Sequence, residues 1–100
     1  MKFMVTWRVQ PDKREGVFST FSQMTPADDQ KDTGDKVKLI GRWHDISSFT
    51  GVAICEADDP MALASWALNW NSVLDLQTTM VLDDAEVREV GKKKLAGRKK

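Results

Sequence analysis

The sequence predicts an α+β domain of ferredoxin-like topology, with the element order β-α-β-β-α-β, and three observations lead to that prediction. A length of 100 residues admits a single core, because two smaller cores could not each offset the entropy of ordering the chain. Four segments alternate apolar and polar residues, as strands do, and two repeat apolar residues at helical spacing. Since each helical segment falls between two strands, two helices should cover one face of a four-stranded antiparallel sheet.

The first part of the chain predicts a strand, a helix and a loop. Residues 2–9 (KFMVTWRV) alternate apolar side chains with others, which is typical of a strand with one apolar face. A helix should begin at Pro11, because proline suits a first helical turn, and its apolar stripe runs from Val17 to Met24. The polar segment 25–35 contains a proline and a glycine, which indicates a loop with room for one helical turn.

The second part predicts a hairpin, a helix and a last strand. Residues 36–44 (KVKLIGRWH) and 51–57 (GVAICEA) alternate at period two and are joined by a turn over 45–50. A second helix should begin where Pro60 follows two candidate aspartate caps. Residues 75–82 (DLQTTMVL) predict the fourth strand, which completes the sheet.

Charge is unevenly distributed along the chain. All 15 acidic residues precede Lys92 and six of the 15 basic residues follow Gly91, so the two parts carry net charges of −6 and +6. We expect a single domain over residues 1–91, which ends in a short helix, and a basic, disordered tail over residues 92–100. The acidic domain would repel a phosphate backbone, and the tail lacks interleaved aromatic residues, so nucleic acid is not an expected partner.

Composition argues against several classes of site. The single cysteine, Cys55, excludes an internal disulfide and a cysteine-based zinc site. One histidine and one cysteine on successive strands do not supply the ligands of a haem or iron centre, so we expect no cofactor and no metal. The segment 1–9 is too short and too interrupted by charge for a signal peptide, and no apolar run could span a membrane. The expected location is the cytoplasm, without a membrane partner.

The predicted sheet carries apolar residues on both faces. Met4 and Ile40, for example, lie opposite the main apolar faces of their strands. Exposing such area to water is costly, so we expect a two-fold homodimer in which two sheets pack face to face around a partly polar cleft. The alternative is that the 25–35 segment or the C-terminal helix covers this face.

The stretch GRWHD, residues 41–45, contains the only histidine of the chain and supplies the candidate site. Strand alternation places Gly41 and Trp43 on one face and Arg42 and His44 on the other. Because an arginine buried without a partner would be costly, we expect Arg42 and His44 to face the dimer cleft and Trp43 to pack among the helices.

His44 is the candidate catalytic residue, because the pKa of an imidazole, about 6.5, suits proton transfer near neutral pH. The alternative is a strand-end histidine held by the turn. Its carboxylate partner would be Glu56 or Asp75. A simple hairpin places Glu56 on the opposite face from His44, and a one-residue bulge would reverse that conclusion. Arg8 and Arg42 suit anion binding and form, with Asp75, the predicted ligand-binding set; the alternative is that both arginines are solvated or salt-bridged strand charges.

Four segments of the chain resemble a known family when they are taken together: MKFMVTWRVQPDKR, GRWHD, TGVAICEADD and WALNWN. They are similar to a family of small, mostly bacterial proteins known as a domain of unknown function and grouped with the dimeric α/β-barrel superfamily. The resemblance covers roughly residues 1–85. It implies the ferredoxin-like fold and the dimer, and it carries over no established catalytic residue.

The expected function is the binding of a small organic molecule in the dimer cleft. The wider superfamily includes antibiotic-biosynthesis monooxygenases, YciI-like proteins, stress-responsive barrel proteins and haem-binding chlorite dismutase-like proteins. The alternative that the resemblance implies is a cofactor-independent oxygenase or a YciI-like lyase or hydrolase that uses His44. A third hypothesis is an interaction protein that acts through its basic tail.

Overall fold

The computed structural model describes residues 1–98. The strands are β1 (Lys2–Val9), β2 (Val37–Asp45), β3 (Thr50–Ala57) and β4 (Leu74–Val81). The helices are α1 (Arg14–Ser22), which follows a 3-10 turn over Pro11–Lys13, and α2 (Pro26–Thr33), α3 (Pro60–Leu68) and α4 (Asp84–Arg98). Within residues 1–98 no helix is long and apolar enough to cross a bilayer.

The four strands form one antiparallel sheet in the order β2-β3-β1-β4. This order places the first and third strands in the centre, which confirms the ferredoxin-like α+β fold. Across the central pair Val5 lies opposite Ala53, and Phe3 opposite Cys55. Because side chains alternate along a strand, these positions all point to the same side of the sheet, the helix side.

The core lies between that side of the sheet and α3. Ala53 and Cys55 are fully buried, and Leu63 and Trp66 of α3 pack against them in one apolar cluster. The helix begins at Pro60 after Asp59, whose side chain accepts a hydrogen bond from the backbone N–H of Met61 at 2.9 Å. This aspartate cap was predicted from the sequence.

The segment 25–35, expected to be a loop, contains the eight-residue helix α2. Its start is stabilised by a capping box: the Thr25 hydroxyl accepts from the N–H of Asp28 at 3.2 Å, and the Asp28 carboxylate accepts from the N–H of Thr25 at 2.9 Å. Pro26 occupies the first helical position, and only Thr33 of α2 is buried. The helix lacks an apolar stripe, so hydrophobic periodicity could not predict it.

The C-terminal helix is longer than the sequence predicted. We expected a disordered tail from residue 92, but α4 continues through Arg98, and residues 99 and 100 lie outside the described part. Lys93 pairs with Glu89 one turn earlier at 3.2 Å. No described residue of α4 is buried, and Val87, Val90 and Leu95 are each at least half exposed. The helix therefore does not cover the sheet.

A β-bulge in β2 changes which side chains face the helices. Leu39 pairs with Cys55 and Gly41 with Ile54, so Ile40 is the extra residue. Beyond the bulge the alternation is rephased by one position, and Arg42 comes to lie opposite Ala53, on the helix side. Trp43 consequently points away from the helices.

Candidate functional site: a cavity between the sheet and the helices

A cavity of about 250 Å³ lies between the helix side of the sheet and the helices α1 and α3. Its walls are mainly aromatic and aliphatic, and its polar edge is formed by Arg42, His44 and the turn that follows β2. The aromatic lining consists of Trp7, Phe18, Phe21, Phe49, Trp66 and Trp70. A half-enclosed apolar space with a few polar groups at one edge is the usual form of a small-molecule site.

Arg42 lies at this edge rather than in an open sheet cleft, so its expected position was wrong. Its guanidinium donates to the Asp29 carboxylate of α2 at 3.0 Å and stacks over the Phe21 ring at 4.7 Å, and its side chain is only 14% exposed. Burial of an arginine is costly when the guanidinium has no partner, but here Asp29 of α2 supplies one. The exposed residue is Trp43, at 59%, and not the arginine.

His44 shares the helix side with Arg42 and contacts two aromatic rings, although the residue remains exposed to solvent. Its imidazole meets the Trp7 indole edge-on at 5.5 Å and the Phe21 ring at 4.9 Å between ring centres. Gly51, which pairs with both His44 and Trp7, leaves room for this contact, because a side chain there would collide with the indole of Trp7. Desolvation, and then the nearby charge of Arg42, lower the pKa of His44 below its ordinary value. Both effects favour the neutral form of the imidazole.

A second polar cluster, centred on Asp32, links α2 to the C-terminal end of α3 and the turn after it by hydrogen bonds. The Asp32 carboxylate accepts hydrogen bonds from the indole N–H of Trp66 at 3.0 Å and of Trp70 at 2.8 Å, and from the Asn69 amide at 3.1 Å. Sequence reasoning took the two tryptophans for a packing stripe and did not find Asp32. Their spacing of four residues was a usable signal, because a helical continuation over Trp66 to Trp70 would place two indole donors on one face; in the structure α3 ends at Leu68 and Trp70 lies in the turn.

The remaining predicted site residues lie on the other side of the sheet. Arg8 and Asp75 are direct partners across β1 and β4 and are both exposed. His44 belongs to the row that contains Gly51, Trp7 and Leu76. The set of Arg8, Arg42 and Asp75 is therefore divided between the two faces and cannot bind one small ligand.

The carboxylates proposed as partners of His44 are also on the opposite face. Glu56 pairs with Lys38 and alternates with the buried Cys55, so the prediction that it faces away from His44 is confirmed. Asp45 follows His44 directly, but its carboxylate accepts from the hydroxyls of Ser47 and Ser48 and closes the turn. Those hydrogen bonds lower the pKa of Asp45. The arrangement does not provide a His–carboxylate pair.

The described residues contain no group of three or more potential metal-ligating side chains from histidine, cysteine, aspartate and glutamate. Cys55 is a free, buried thiol whose pKa is raised by desolvation. A protonated thiol in an apolar layer behaves as a small apolar side chain.

The comparison with family models finds one family, described as "Domain of unknown function (DUF3303)", over residues 1–95. This match confirms the resemblance to a family of unknown function and extends it into most of α4. Among curated proteins, none matches the chain.

Proposed function

The chain belongs to the DUF3303 family, a domain of unknown function, and from its own geometry we propose that it binds a small, largely apolar organic molecule in the cavity between sheet and helices. The observation that carries this proposal is an open space of about 250 Å³ in the layer where a small domain would otherwise place its core. Protein interiors are ordinarily close-packed, and a void of this size forfeits packing energy unless a ligand fills it.

The size and lining of the cavity indicate the size of the ligand. An engineered apolar cavity of about 150 Å³ in another protein holds benzene, so 250 Å³ suits a molecule of about ten to twelve non-hydrogen atoms. Trp7, Phe21 and Trp66 offer flat surfaces against which a planar molecule would stack. The cavity takes the place of the dimer cleft that the sequence suggested.

Binding is favoured here over catalysis. A His-dependent oxygenase, lyase or hydrolase would gain most from a carboxylate that orients His44 and stabilises its charged form. Glu56 and Asp75 face the other side of the sheet, and Asp45 is bound by serines. His44 is thus placed to hydrogen-bond a ligand, without the support that a general base ordinarily has.

The open face of the sheet supports a homodimer as part of this proposal. Met4 and Ile54 are neighbours at the centre of that face, and the exposed Trp43 lies beside them. Arg8 opposite Asp75, and Lys38 opposite Glu56, keep the face electrically balanced. Two copies could therefore pack face to face without charge repulsion and remove apolar area from water.

Filling the cavity tests the ligand proposal. Naphthalene, with equilibrium dialysis as the readout, should bind the wild-type protein saturably, and Ala67→Phe should abolish binding because Ala67 lines the cavity. Ala64→Phe is the matched control, since Ala64 is exposed on the same helix and does not line the cavity. Failure of the wild type to bind, or equal binding by both variants, would contradict the proposal.

A further inference from the structure

The charged groups that line the cavity are already neutralised by other parts of the chain. The guanidinium of Arg42 is held by Asp29 at 3.0 Å and lies against the Phe21 ring. The Asp45 carboxylate is bound by the hydroxyls of Ser47 and Ser48. A ligand carboxylate at Arg42 would compete with the Asp29 carboxylate, and a ligand amine at Asp45 would compete with two serine hydroxyls.

The indole donors of Trp66 on α3 and of Trp70 in the turn that follows it are occupied in the same way. Trp66 and Trp70 line the cavity with their rings, while both indole N–H groups donate to Asp32 on the far side. The hydroxyl of Thr50 is bonded to that of Ser48 at 2.7 Å. These side chains therefore present apolar surface, and not hydrogen-bonding groups, to whatever occupies the space.

Three polar side chains of the lining have no hydrogen-bond partner within residues 1–98: the imidazole of His44, the hydroxyl of Thr78 and the indole N–H of Trp7. Thr78 and Trp7 carry no charge, and the lowered pKa of His44 favours its neutral form. His44 lies directly against Trp7, at the same edge of the cavity. A neutral imidazole accepts a hydrogen bond from a hydroxyl through one ring nitrogen and donates through the other.

We infer that the cavity selects an uncharged, planar, aromatic molecule with one hydroxyl group, and that this hydroxyl is bound by His44. The inference rests on the proposed function and specifies its ligand class. A charged ligand is disfavoured because a buried charge without a partner is far more costly than a buried hydroxyl that finds one. His44 and the aromatic walls together select for the hydroxyl and for the flat ring.

The proposed ligand class is tested with three compounds that share one ring system and differ in their substituent: naphthalene, 2-naphthol and 2-naphthoate. With the full chain near pH 7.5, calorimetry should show 2-naphthol binding at least tenfold more tightly than 2-naphthoate and about tenfold more tightly than naphthalene. His44→Phe should bring 2-naphthol down to the affinity of naphthalene and leave naphthalene itself unchanged. His44→Gln, which restores a hydrogen-bonding side chain, should recover part of the preference.

The outcomes separate this inference from the proposal on which it rests. If none of the three probes binds the wild-type protein, both fail. If naphthalene binds but 2-naphthoate binds as tightly as 2-naphthol, the cavity remains a binding site and the uncharged class is wrong. If 2-naphthol keeps its advantage in the folded His44→Phe and His44→Gln variants, the role of His44 is wrong. Asp75→Asn, on the other face of the sheet, serves as the control and should leave all three affinities unchanged.

Discussion

At the scale of single residues, the environment of His44 is set by rings and not by carboxylates. Trp7 and Phe21 shield part of the imidazole from water, and Arg42 adds a like charge, so both effects disfavour the protonated form. The charged groups near this edge are Arg42, its partner Asp29, and Asp45. The side chain is thereby kept as a neutral hydrogen-bonding group.

The affinity for 2-naphthol should be constant between about pH 7 and pH 8, where the naphthol hydroxyl is un-ionised, and fall as the pH decreases below 6.5, the ordinary pKa of His44. The folded-state pKa is lowered, so the unfolded chain takes up the proton first, and the contribution of His44 to stability is also lost in this direction. Titration of the imidazole by proton NMR should give a pKa under 6.5, and the binding profile of His44→Phe should be flat. A pKa above 6.5 in the free protein would contradict this account.

At the scale of elements, α2 is attached by carboxylates and not by an apolar face. Asp29 binds Arg42 of β2, and Asp32 binds one indole of α3 and one of the turn after it, while Thr33 is the one buried residue of the helix. The helix α2 thus connects the β2 wall of the cavity with the α3 wall, although no residue of α2 lines the cavity itself. Its contacts depend on single side chains from distant segments, which explains why local sequence indicated only a loop.

Asp32→Asn should loosen α2 without unfolding the sheet. An asparagine turns one acceptor into a donor that faces the indole N–H groups, and an unsatisfied polar group of this kind costs about 1–3 kcal/mol. Hydrogen exchange should show faster exchange of the amides of residues 26–33, together with a change in tryptophan fluorescence. Asp35→Asn is the control, because Asp35 is exposed and makes no hydrogen bond through its side chain within residues 1–98. Equal exchange in the two variants would show that Asp32 does not hold the helix.

At the scale of the whole molecule, the sheet has one face covered by helices and one face open. Neither the 25–35 segment nor the C-terminal helix covers the open face. The helix α2 of that segment packs on the helix side, and α4 buries none of its described residues. Trp43 and Ile40 remain more than half exposed. The proposed two-fold contact between open faces would bury this area.

Ile54→Lys should convert the proposed dimer into a monomer, because it places a charge at the centre of the open face, next to Met4. Sedimentation velocity at micromolar concentration measures the change, and circular dichroism checks that the variant is folded. Met61→Lys is the matched control, since Met61 is 77% exposed on the helix layer. A wild-type protein that sediments as a monomer would overturn the dimer.

The sequence by itself determined the strands, the helices α1 and α3, and the order of these elements along the chain, which is typical of a ferredoxin-like fold. These follow from periodicity and from local caps such as Asp59, which act over a few residues. It also identified Arg42 and His44 as neighbours on one face.

Only the tertiary structure decided which face that is. The bulge at Ile40 shifts the side-chain alternation of β2 by one residue. The long-range ion pair with Asp29 offsets the desolvation cost of burying Arg42. Both effects depend on residues that are far apart in the chain, or on a single extra residue in a ladder, which alternation alone cannot predict. For the same reason the cavity, which needs α1, α3 and all four strands at once, emerged only in three dimensions.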